Sequence, residues 1–364
     1  MLKFTTGRGL RLLLAAGICL GTLASVGAVS RTDGTASPME AVVQQAEQKS
    51  PIQTEAELKA AEARQKRAPA LLASRGLNRE QKDALTARMG EDAFLFQLLE
   101  QGSLTRADLL WLTLPNSRSD RLERYRAWSA EHPKLTAEDV VLQVNMDQDQ
   151  DFYSLIWEVA DPSALDVLVN KHYILPAGYV PQLEVLGGKY GAGSLRPEAA
   201  QAFRAMADSA RKDGISLRSV SAYRSYRQQT NTYNRYLKQN SQATVDTFSA
   251  RPGHSEHQTG LALDINVASS RAHFEDTPAF AWLKEHCAEY GFILRYDLGQ
   301  DSITGYRFEP WHYRYVGQEA AKTIMEQGIT YEEYLALRPT WGQQVIIKEE
   351  TPAASPLSIS GSLK

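Results

Sequence analysis

The stretch Ser255-Glu256-His257-Gln258-Thr259-Gly260-Leu261-Ala262-Leu263-Asp264-Ile265-Asn266-Val267 holds a strand and a chemical site in the same thirteen residues. Leu261, Leu263, Ile265 and Val267 alternate with Ala262, Asp264 and Asn266, so an extended chain buries the first set and turns Asp264 to the opposite face. A carboxylate in the middle of such a strand needs a partner or a metal, because burying an unpaired charge is costly. Gly260 marks a turn ahead of the strand, and His257 just before it can fold back beside Asp264.

A second stretch, Glu309-Pro310-Trp311-His312, adds a carboxylate and another imidazole. His257, Asp264 and His312 make a suitable zinc set, two imidazoles and one carboxylate, with a fourth tetrahedral position left open as in catalytic sites. Pro310 disfavours an uninterrupted central strand, and a bend there lets Glu309 and His312 aim at one metal. His254 forms an apparent H-x-x-H with His257, but Pro252-Gly253 and Gly260 argue for a loop, so it is not expected to be a ligand. His132, His172, His273 and His286 have no comparable company.

Working outward, Pro197 near a helix start, Phe203, Met206, Ala207 and Ala210 at helical spacing, and Gly214 past the end define one amphipathic helix. A strand is expected around Ile215 to Ser221. The next helix, Tyr226 to Leu237, puts Tyr226, Tyr233 and Leu237 on a common face, and another runs from Thr277-Pro278 to Gly291. The expected fold is α+β: a small antiparallel sheet with flanking helices carrying a zinc site over residues 165–338. A helical N-terminal module over 75–164 precedes it, with stretches at Arg79 to Met89 and Asp92 to Gln101.

The 364 residues are 43% apolar, enough to bury a sizeable core, and the formal net charge of -3 without a Lys/Arg block excludes a general nucleic-acid footprint. Lys3, Arg8 and Arg11 followed by an apolar run to Val26 and by Val26-Gly27-Ala28 read as a secretory signal peptide over 1–28, or as an N-terminal membrane anchor if uncleaved. Residues 29–74 read as a solvated spacer or a loose helix, and 339–364 as a disordered tail. Only Cys19 and Cys287 occur; Cys287 shares a helical face with Phe280, Leu283 and Tyr290 and reads as a buried structural thiol.

These motifs resemble the VanY-type D-alanyl-D-alanine carboxypeptidase family, within the LAS zinc metallopeptidases that also include L,D-carboxypeptidases. The pattern Ser-x-His-x-x-Gly-x-Ala-x-Asp is matched at Ser255, His257, Gly260, Ala262 and Asp264, and Glu-x-Trp-His at Glu309, Trp311 and His312. The upstream element appears as Ser221-Ala222-Tyr223-Arg224-Ser225, followed by Gln228. Glu256 falls on a variable position of the pattern. The resemblance implies Zn2+ on His257, Asp264 and His312, Glu309 as general base, Arg224 stabilising the tetrahedral oxyanion, and Ser255 and Gln228 contacting substrate.

It further implies hydrolysis of a C-terminal D-alanine from peptidoglycan stem peptides outside the cytoplasmic membrane, with D,D and L,D specificity both open. Two readings on the same scaffold stand beside it: a non-catalytic zinc-containing wall-binding module, and a peptidoglycan endopeptidase. A serine carboxypeptidase is excluded. Ser209-Ala210-Arg211-Lys212 matches Ser-x-x-Lys formally, but it ends an amphipathic helix, and neither Ser-Asp-Asn nor Lys-Thr-Gly occurs in the chain.

Overall fold

The computed structural model describes residues 54–267 and 273–339 and the strand at 345–347. The expected leader or anchor at 1–28, most of the spacer, Cys19 and nearly all of the tail lie outside the described residues. Among the described residues, no helix is long and apolar enough to cross a membrane.

Six helices come first: α1 (Glu55–Leu72), α2 (Arg79–Glu91), α3 (Ala93–Glu100), α4 (Arg106–Leu112), α5 (Leu122–Glu131) and α6 (Ala137–Asn145). Their boundaries follow from side-chain caps. Asn78 with Gln81, Thr105 with Asp108, and Thr136 with Asp139 form reciprocal capping boxes at the starts of α2, α4 and α6. Asp92 ends α2 and caps α3 through the Leu95 amide, so the two helices follow each other without a loop. Leu85, Met89, Leu95, Leu99, Leu109, Leu112, Tyr125, Val141 and Val144 close a core between them. Ala68 and Leu72 of α1 enter that core, so helix and buried surface extend back into the stretch read as spacer.

A second core is built around strands. β1 (Trp157–Val159) pairs in parallel with β2 (Tyr173–Ile174) and antiparallel with a last strand, and β3 (Glu184–Val185) pairs antiparallel with β4 (Ser194–Leu195). After α7 (Pro197–Lys212) come β5 (Arg218–Ser221), α8 (Tyr226–Leu237) and α9 (Gln242–Asp246). Next are β6 (Ala262–Asn266), α10 (Pro278–His286), β7 (Phe292–Leu294), α11 (Asp301–Thr304) and β8 (His312–Tyr315). The series ends with α12 (Gln318–Gln327), α13 (Tyr331–Ala336) and β9 (Val345–Ile347), the last strand beside β1.

The central sheet has the order β5-β6-β8-β7 with every pair antiparallel. Leu263 and Ile265 of β6 bury into its core together with the apolar face of α7, where Ala199, Phe203, Met206, Ala207 and Ala210 are all inaccessible. That is the amphipathic face legible in the sequence. Cys287 lies in the same core, in a 3-10 turn between α10 and Gly291, and is not disulfide-bonded.

Candidate metal centre and cleft

Register brings the first two candidate ligands together: Asp264 in the middle of β6 stands directly opposite His312 at the start of β8. His312 Nδ1 faces Asp264 Oδ1 at 3.2 Å. His257 arrives from a 3-10 turn, Glu256–Thr259, which Gly260 ends in the left-handed region at φ 70°. A side chain there would be strained and would press on Pro181, Arg196 and Leu183 within 3.1–3.3 Å, so glycine is the residue that lets the turn reverse into β6. His257 Nε2 then sits 3.5 Å from Asp264 Oδ1. One ligand atom from each of His257, Asp264 and His312 lies within 4.8 Å of the others.

Partners behind the rings fix which nitrogen is offered. His257 Nδ1 donates to the Ala222 carbonyl at 2.7 Å, leaving Nε2 as the free lone pair. His312 has the opposite arrangement, with Nε2 donating to Glu256 Oε2 at 3.2 Å and Nδ1 turned to Asp264. Glu256 is buried, and its other oxygen accepts from Arg295 at 2.8 Å and Arg314 at 3.2 Å. Burial alone raises the pKa of such a carboxyl, but the two guanidiniums and His312 hold it well below the usual range.

Asp264 is likewise held low by His257 and His312 against the effect of burial. His312, disfavoured by burial but bonded to Asp264 and Glu256, is pushed up to about 9. A metal ion at Nδ1 would take the place of that proton.

Glu309 is buried, with Oε2 4.0 Å from His312 Nδ1. The expected bend at Pro310 is there: the His312 amide donates back to the Glu309 carbonyl, closing a turn that aims both side chains one way. Burial raises the Glu309 carboxyl to about 7. Arg224 is half-buried, with Nη1 donating to Gln229 Oε1 and Nη2 to Ser221 Oγ, each at 2.9 Å. Among the described residues Arg224 makes no ion pair, and its charge helps to lower the Glu309 carboxyl and the His257 ring. Arg224, Ser255, His257, Asp264, Glu309 and His312 all line one cavity of about 620 Å³.

Gln228 does not join them. Its Oε1 accepts from the amide and hydroxyl of Ser225, completing the capping box of α8, and the side chain is exposed. Its neighbour Gln229 lines the cavity beside Arg224: it is buried, donates to the Ala250 carbonyl at 2.7 Å and accepts from Arg224. The buried residues of α8 are Gln229 and Tyr233, four apart on one face, whereas Leu237 is exposed. His254 stands apart from the metal ligands, its Nδ1 on the Asn170 carbonyl at 2.7 Å and its ring edge-on to Tyr153.

Glu256, Arg295 and Arg314 also escaped notice as site residues. The signal was faint but physical, since His312 and Arg314 are two apart in one strand, and a buried arginine on the same face as a ligand calls for a carboxylate behind both.

Residues 192–318 match the family model described as VanY, D-alanyl-D-alanine carboxypeptidase. The protein YodJ of Bacillus subtilis is 40% identical over 189 residues, which is 48% of this chain and 68% of that protein. A D-alanyl-D-alanine carboxypeptidase of Enterococcus faecalis is 38% identical over 179 residues, 46% of this chain and 65% of that one. A solved zinc complex of the vancomycin-resistance D,D-pentapeptidase VanY is 35% identical, with coverage of 48% and 99% and a TM-score of 0.43.

Proposed function

The chain belongs to the VanY-type D-alanyl-D-alanine carboxypeptidase family, and we propose that it removes the C-terminal D-alanine from peptidoglycan stem peptides with a zinc ion held by His257, Asp264 and His312. The observation that supports this reading best is the convergence of three ligand atoms within 4.8 Å beside a buried glutamate. Two imidazoles and a carboxylate suit zinc and leave a coordination position open. Bound there, zinc supplies Lewis acidity towards a water and a carbonyl oxygen.

The remaining chemistry belongs to side chains. Glu309, whose carboxyl burial raises to about 7, is poised to take a proton from the attacking water and return it to the departing amine. Arg224 offers a permanently charged guanidinium, oriented by Gln229 and Ser221, to the oxygen that becomes negative during attack. Ser255, buried in the cavity wall beside His257, contacts the substrate. An enzyme with this substrate works outside the cytoplasmic membrane, in keeping with the leader or anchor read at 1–28.

The deciding experiment offers the purified protein synthetic tetra- and pentapeptide stems, with and without a chelator. Release of D-alanine that stops on chelation and returns with zinc is expected, and the preferred peptide assigns D,D or L,D specificity. Release unaffected by chelation would remove the metal from the mechanism. Absence of D-alanine release from either stem would overturn the carboxypeptidase reading.

A further inference from the structure

The cavity that holds the ligands is much longer than a single departing residue requires. Gln229, Thr232, Tyr236, Gln239 and Asn240 line it from successive turns of α8 and the residues just past its end. Gln229, Thr232 and Tyr236 are three and four apart, the spacings of one helix face, and seven residues at about 1.5 Å each carry that wall roughly 10 Å from Gln229 before Gln239 and Asn240 extend it past the helix end. An extended peptide advances about 3.3 Å per residue, so an arm of this length spans roughly three residues or more. A carboxypeptidase releases one residue. The arm beyond the metal end therefore faces the retained part of the substrate.

The charge of this arm is one-sided. The carboxylates lining the cavity are Glu256, Asp264 and Glu309, all gathered at the metal end and each in contact with His312. The outer part carries Arg235 and Arg307, exposed and, among the described residues, ion-paired with no carboxylate. Both are seated on rings. The Arg235 guanidinium lies 5.4 Å from the Tyr236 ring centre and that of Arg307 4.6 Å from the Phe248 ring centre. Tyr236 and Phe248 themselves meet edge-on at 5.1 Å. The Arg307 amide is tied to the Thr247 carbonyl at 3.0 Å, which anchors the loop leading to Glu309. Two stacked guanidiniums keep their N–H edges free for carboxylate oxygens.

We propose that the outer arm is a subsite for an anionic peptide, in which Arg235 and Arg307 bind carboxylates on the retained part of the substrate, roughly two to four residues before the scissile bond. The inference rests on the carboxypeptidase reading of the same cleft. It narrows the substrate class from any peptide ending in D-alanine to those bearing acidic groups upstream, and it makes amidation of those groups a way of escaping the enzyme.

The test uses two acetylated pentapeptides ending in D-alanine that differ only in glutamate or glutamine at the third residue before the scissile bond. The zinc-loaded full chain should cleave the glutamate peptide with kcat/KM about tenfold higher, through KM, and the gap should close as sodium chloride is raised to 0.5 M. Arg235→Gln and Arg307→Gln together should lower the rate on the glutamate peptide to that on the glutamine peptide. Arg307 also acts on the Glu309 carboxyl and holds it lower than burial alone would, so the rates are compared at pH 8.5, where Glu309 has lost its proton. There the zinc content and circular dichroism of the double variant should match the wild type, and its glutamate-to-glutamine ratio of kcat/KM should fall to one.

Equal kcat/KM for the two peptides in the wild type, or a gap that survives the double variant, would overturn the subsite. If neither peptide is cleaved, the carboxypeptidase reading has failed, and calorimetric binding of the same two peptides still decides the arm. Tighter binding of the glutamate peptide that is lost in the double variant supports it, and equal binding removes it.

Discussion

Glu256 Oε2 lies 3.2 Å from His312 Nε2, on the side of the ring away from Asp264. The carboxylate is buried between Arg295 and Arg314 and cannot turn to water, so the imidazole behind which it stands has a fixed orientation and a fixed free nitrogen. Carboxylate, histidine and metal in sequence form an arrangement in which the outer group sets the basicity of the ligand.

Glu256→Gln should therefore weaken zinc binding by about 10- to 100-fold without removing any ligand. It also leaves two buried guanidiniums with one carboxylate fewer, at a cost of about 3–5 kcal/mol of folding stability. A competitive titration against a chromophoric chelator reads the first effect, and urea unfolding of the metal-free protein reads the second. Unchanged zinc affinity would show that His312 is oriented by the strand alone.

With Glu309 as the proposed base, its titration sets the expected pH profile. Burial raises its carboxyl to about 7, so as pH falls through that value the group gains a proton and ceases to be a base. A nearby dication favours the charged form and moves the midpoint down, so kcat/KM should fall on the acid side with a midpoint at or below 7. Glu309→Gln should retain zinc and lose D-alanine release by at least about a hundredfold. An acid limb that survived in this variant would have to come from another group.

Cys287 is expected to be inert. Burial pushes its thiol up to about 12, and it lies in the apolar core among α7, α10 and β7. Peptide mapping after iodoacetamide treatment at pH 8 should find Cys287 unmodified in the native protein and fully modified in urea. Native labelling with loss of activity would contradict the structural role.

Much of this was legible in the sequence because it rests on local periodicity. The alternation from Leu261 to Val267 sets Asp264 on the cleft side of β6, and the apolar spacing from Phe203 to Ala210 sets the buried face of α7. Glu309, Pro310 and His312 declare their turn through proline. The unread part depends on contacts between distant segments. Glu256 meets Arg295 and Arg314 across 39 and 58 residues, and no local pattern announces such a pair. Residues 55–72 look solvated because the apolar groups that α1 buries are few. Gln228 lies outside the cavity for a local reason. A Ser-x-x-Gln run at a helix start is a capping box, which fixes the glutamine on its own serine and leaves the next residue to face inward.

That one-residue difference separates two variants that composition alone would treat as equivalent. Gln228→Ala removes a side chain that, among the described residues, bonds Ser225 alone at the start of α8, so it should cost about 1 kcal/mol of stability and leave kcat and KM unchanged. Gln229→Ala instead frees the Arg224 guanidinium on one side and strips the Ala250 carbonyl of its donor. Arg224 then keeps the Ser221 hydrogen bond but loses that to Gln229, and the charge proposed to act on the transition state loses preorganisation. The expected result is a fall in kcat of about tenfold or more with KM little changed, since the loss is felt after binding. Gln229→Glu keeps an acceptor for Arg224 but offsets its charge and sets a carboxylate oxygen against the Ala250 carbonyl, so it should not restore the rate. Full activity in Gln229→Ala, or loss of activity in Gln228→Ala at unchanged fold, would reverse the assignment of the two glutamines.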